Sequence, residues 1–99
     1  MSMQIFFKEE CEKVYKIHKI NLITKTSFSE KNRSIRIEDC QIFNQESEKL
    51  QKQISKNLTK LVRSNRSKNI QEILEPIANI YIKKFLNLVD LSEIRQIKN

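Results

Sequence analysis

Glycine and tryptophan are absent from this 99-residue chain, and proline occurs once. Each absence removes a class of structure. Two-residue hairpin turns of types I′ and II′, Schellman helix ends and phosphate-cradling loops need backbone at φ > 0, which glycine supplies without a Cβ clash. Asparagine can take such a position singly, and the chain is rich in it. P-loops and dinucleotide-binding fingerprints, however, require glycine sterically and are excluded. With one proline and no glycine to interrupt helices, the composition points to a mainly helical fold.

Other features are also scarce. No apolar run approaches the ~18 residues needed to span a bilayer, so no membrane partner is expected. Met1 to Phe7 runs straight into Lys8, Glu9 and Glu10, too short and too acidic afterwards for a signal or transit peptide. Cys11 and Cys40 are the only cysteines. They are expected as reduced thiols in an intracellular compartment, cytoplasm or nucleus, rather than as a disulfide. His18 is the sole histidine, and no Cys, His or carboxylate spacing matches a zinc site, so neither metal nor cofactor is expected. His18 reads as a half-buried residue at a helix end, and Cys11, on an apolar stripe, as an inert thiol. Glu9, Glu10, Glu12, Glu38 and Asp39 read as surface carboxylates, because general-acid work needs burial to raise a pKa. No Ser–His–Asp arrangement can be drawn, and an enzyme is not expected.

The length suits a single domain over residues 1–99, burying roughly 60–65% of the surface its unfolded chain exposes. Three helices are expected. Met3, Phe7, Cys11, Val14 and His18 recur at three- and four-residue spacing, which predicts a helix over 3–18 with Ser2 as its N-cap. Leu50, Ile54, Leu58, Leu61 and Val62 form a stripe that predicts a second helix over 45–65, capped by Asn44, with Glu46 and Glu48 in its first turn. Ile70, Ile73, Leu74, Ile77, Ile80, Tyr81, Phe85 and Leu88 cover a wide arc over 69–89. That arc predicts a third helix buried along much of its circumference, with Pro76 in its first turn or at a kink. Between the first two helices the period is ambiguous. Ile20, Leu22, Thr24, Thr26 and Phe28 alternate, as do Ile35 and Ile37, which favours a short β-hairpin within 20–37 around a loop near 29–33. Ser27 to Glu30 also matches a helix capping box. The fold class is therefore a bundle of about three helices, with an α+β variant carrying that hairpin.

What the chain has in excess is positive charge, and it is concentrated. Nineteen basic against twelve acidic side chains give a net charge of +7. No acid occurs between Lys49 and Gln71, while Lys49, Lys52, Lys56, Lys60, Arg63, Arg66 and Lys68 do. The remainder of the chain is neutral overall. On a helix, Lys49, Lys52, Lys56, Lys60 and Arg63 fall in one row about 21 Å long, opposite Leu50, Ile54, Leu58 and Leu61. Lys31, Arg33 and Arg36 form a second, smaller cluster. An ordinary solvated face mixes signs, because like charges three or four residues apart repel. An unrelieved row points to an anionic partner. The row is mostly lysine and holds no aromatic residue, so backbone contact with duplex DNA or structured RNA is expected over base readout. The alternative is a helical protein-interaction subunit or inhibitor that docks an acidic partner surface. Either would act as part of a complex or oligomer.

Overall fold

The hydroxyl of Ser2 accepts a hydrogen bond from the Gln4 amide at 3.2 Å and starts helix α1, Met3–Lys25, in the computed structural model, which describes residues 2–65 and 69–90. Removing this cap should cost roughly 1 kcal/mol. A Ser2→Ala variant should accordingly melt about 4–8 °C lower, and circular dichroism at 222 nm would read it.

α1 continues seven residues past its expected end at His18, and it absorbs the alternating segment Ile20 to Thr24. Thr26 stops it, its Oγ1 and its amide both donating to the carbonyl of Leu22. Among the described residues there is no strand; the hairpin variant reduces to one antiparallel bridge between Ser29 and Ser34. The turn between those serines does fall where the loop was expected, and Arg33 takes the left-handed φ of 52° that closes it. Phe28 and Ile35, on either side, are buried and anchor the connection.

A short 3-10 turn, Ile37–Asp39, leads into α2, Cys40–Ser64. The helix thus begins well before the expected Asn44 cap, because Phe43 must already lie on the helical face that stacks on Phe85, with ring centroids 5.6 Å apart. Asp39 braces this junction by accepting from the amide and hydroxyl of Ser27 at 2.9 and 2.8 Å. Arg63 falls in the last turn, where the helix dipole favours a cation.

α3 spans Ile70–Leu86 and carries Pro76 inside it, past the first turn. The missing N–H leaves the Glu72 carbonyl without its usual intrahelical donor, but the helix runs through. Each helix packs on the other two. The start of α1 meets the end of α2, where Asn65 Nδ2 lies 3.4 Å from Met3 Sδ. Tyr15 of α1 meets Tyr81 and Phe85 of α3 edge-on at 6.3 and 6.4 Å. Helices α1 and α3 therefore run parallel, with α2 antiparallel to both. One core joins Phe7, Cys11, Val14, Tyr15 and Leu22 to Phe43, Leu50 and Ile54 and to Leu74, Ala78, Tyr81 and Phe85.

The burial of α3 is narrower than its apolar arc implied. Leu74, Ala78, Tyr81 and Phe85 are buried, but Ile73 is 39% and Ile80 61% exposed. Two neighbouring helices cover about half of a helix's circumference, and the isoleucines on the outer flank are left in water. No helix among the described residues is long and apolar enough to cross a membrane.

Candidate nucleic-acid interface

The face of α2 opposite Leu50 and Ile54 is the basic row. Burying the aliphatic stripe against α1 and α3 fixes the helix's rotation, and that rotation turns Lys49, Lys52, Lys56, Lys60 and Arg63 outward. All five are exposed. Lys52, Lys56, Lys60 and Arg63 form no ion pair among the described residues. Lys49 differs from expectation: Glu46, one turn earlier, reaches its Nζ at 3.5 Å. The unrelieved row thus starts at Lys52. Arg66 and Lys68 lie outside the described residues.

Within the second basic cluster, Arg36 alone is ion-paired among the described residues, and Arg33 is held by backbone contacts. Arg33 Nη2 donates to the Asn87 carbonyl at 2.7 Å, and the Arg33 carbonyl accepts from the Asp90 amide at 2.8 Å, tying the α1–α2 connection to the end of α3. Arg36 lies 3.5 Å from Glu38. Lys31 is exposed.

Glu46 is the residue that sequence reasoning misplaced. It is expected in the first turn of the helix, but with α2 starting at Cys40 it lies beyond that turn, faces α1 and is 1% exposed. Its Oε1 accepts from His18 Nδ1 at 2.8 Å and Asn21 Nδ2 at 3.2 Å, and its Oε2 lies 3.4 Å from Lys25 Nζ. Burial alone would raise its pKa; the bonds from His18, Asn21 and Lys25 and the charge of Lys25 outweigh it and hold the carboxyl at about 2. His18 is half-buried as expected, though mid-helix rather than at a helix end. A signal was present: His18, Asn21 and Lys25 continue the Phe7–Cys11–Val14 stripe at helical spacing, so three polar groups fall on the flank of α1 that packs inward.

Both cysteines are free. Cys11 is buried, and its thiol is pushed up to about 11 by burial and by the nearby Glu10 carboxylate. It is protonated at neutral pH and a poor nucleophile.

A groove runs between α1 and α2 beside the basic row. One hollow of about 230 Å³ is lined by Phe6, Glu10, Asn57, Lys60 and Leu61. It shares Glu10 and Asn57 with a second hollow of about 410 Å³, whose further lining includes Lys13, Ile17, His18 and Gln53. Gln53 Nε2 donates to Asn57 Oδ1 at 3.1 Å along the α2 edge, and Lys13 pairs with Glu10 at 3.5 Å on the α1 edge. Phe6, on the rim, is 42% exposed. Among protein-family models, curated proteins and solved structures, none matches this chain.

Proposed function

We propose that the basic face of α2 binds the phosphate backbone of nucleic acid, and that the protein does so as a non-enzymatic component of a larger intracellular assembly. The observation that carries this reading is the run Lys52, Lys56, Lys60 and Arg63. These four cations lie exposed along one helical face, with no ion pair among the described residues. Repulsion along such a row is relieved when phosphates replace counterions, and counterion release then drives binding. Arg66 and Lys68 extend the charge in sequence. Phosphates carry no sequence information, so affinity should be nearly uniform across unrelated sequences.

Salt titration tests this directly. If four to six of the seven cations from Lys49 to Lys68 engage phosphates, log K should fall against log salt with a slope of about −3.5 to −5.5 on duplex DNA. A protein with no salt-dependent affinity for DNA or RNA at low ionic strength would end the reading.

A second reading draws on α3. The exposed Ile73 and Ile80 sit on a helix whose apolar arc exceeds what α1 and α2 cover. As a protein-interaction subunit, the chain would complete that burial against a partner while the lysine row met an acidic surface. A pull-down whose partners survive nuclease treatment would favour this second reading.

A further inference from the structure

We infer that the α1–α2 groove holds the bases of a single-stranded polynucleotide, with the backbone on the α2 lysine row and a base stacked on Phe6. The inference rests on the phosphate-binding reading above and goes beyond it, because backbone contact alone does not distinguish duplex from single strand.

Binding of single strands combines a basic track for phosphates with aromatic faces on which bases stack. The basic segment of the sequence has no aromatic residue. The fold supplies one from elsewhere: antiparallel packing of α1 on α2 sets Phe6 beside Lys60, fifty-four positions away in sequence, in one hollow. A phenylalanine 42% exposed on a helix that buries Phe7 completely has apolar area to gain from a ligand.

The rest of the groove fits unpaired bases better than a duplex. A duplex keeps its base edges inside its own grooves and would meet only the lysine row. In the groove, Gln53 and Asn57 share one hydrogen bond, which leaves an amide donor on Asn57 and an amide acceptor on Gln53 for a base edge. Ile17, 57% exposed, lies about three helical turns beyond Phe6 and offers a second apolar surface. Glu10 is the one anionic group in both hollows; Lys13 partly neutralises it, and its oxygens can accept from exocyclic amino groups. Lys60 belongs to both the row and the groove, so a strand with phosphates along the row has its bases within reach of Phe6.

Fluorescence anisotropy with labelled 20-mers, compared at matched ionic strengths across a salt series, tests the assignment: single-stranded oligothymidylate, single-stranded oligouridylate, and a duplex of equal length. The wild-type chain of residues 1–99 should bind both single strands more tightly than the duplex. Phe6→Ala and Phe6→Leu should each weaken single-strand binding roughly 5- to 150-fold, the loss of one stacked base. Duplex affinity and the salt slope should not change. Leucine keeps apolar bulk without the ring, so weakening in both variants isolates stacking, and an unchanged circular dichroism melt confirms the fold. If neither variant alters single-strand binding, or both weaken duplex equally, the groove assignment is overturned while the backbone reading stands. If wild type binds no polyanion in a salt-dependent way, both fall.

Discussion

Replacing Glu46 with alanine is expected to remove roughly 2–4 kcal/mol of stability at neutral pH, and to do so without touching an exposed surface. Glu46 accepts from His18, Asn21 and Lys25 and also pairs with Lys49, so one carboxylate ties α2 to the second half of α1. Hydrogen bonds to a charged group are each worth about 1.5–3 kcal/mol, but these are coupled and do not add. Lys25 and Lys49 have side chains 49% and 60% exposed, and in the variant they return to water instead of being stranded. Proton linkage gives the same order. Displacement of the carboxyl from 4.5 to about 2 corresponds to about 3 kcal/mol. Because the folded-state value is depressed, this contribution is complete above pH ~4.5 and is lost as pH falls through about 2. Urea melts at pH 7, 4 and 2.5 should therefore show wild type and Glu46→Ala far apart at neutral pH and converging in acid. Parallel stability curves across that range would mean that the network contributes nothing net. Glu46→Gln should fall between the two: its amide oxygen still accepts, but its NH₂ group lies against the Lys25 and Lys49 ammonium groups.

The same carboxylate marks the boundary of what is legible in the sequence. Three helices, their order and the outward lysine row follow from spacing, because Leu50 and Ile54 select one face of α2 whatever they pack against. The end of α1 does not follow. Ile20, Leu22, Thr24 and Thr26 fit a strand period as well as a helix, and the β-branched Ile and Thr side chains favour the strand. Helix wins because Leu22 reaches the core while His18, Asn21 and Lys25 find Glu46, twenty-one to twenty-eight residues away. The start of α2 was hidden likewise. Asn44 followed by Glu46 resembles a capped first turn, but the stack of Phe43 on Phe85 requires helix there already. In α3 the apolar arc was legible and its burial was not, since exposure of Ile80 depends on how many neighbours the bundle provides. For the candidate interface, the row on α2 could be read from the sequence, whereas the pairing of Phe6 with Lys60 depends on which flank of α1 faces α2.

Replacing Lys52, Lys56 and Lys60 together with glutamine should leave the fold intact and remove most of the polyanion affinity. Glutamine matches lysine closely in helix propensity. The three side chains are exposed and carry no ion pair among the described residues, so nothing in the core responds. Lys49 is better left in place, because its pairing with Glu46 would mix a stability change into a binding measurement. Every phosphate that goes unneutralised lowers the magnitude of the salt slope by about 0.9, so the slope should shrink by about 3. With five phosphates neutralised, raising salt from 50 to 200 mM weakens wild type roughly 500-fold; with two, the variant should weaken only about tenfold. The effect should be similar for unrelated sequences and should appear on single strand too, where the slope should shrink by about 2, which separates it from the Phe6 variants. Those should spare the slope and discriminate between strands. A triple variant that binds with an undiminished slope would place the phosphates elsewhere on the molecule, and the row on α2 would then be a solvated face or a dock for an acidic protein.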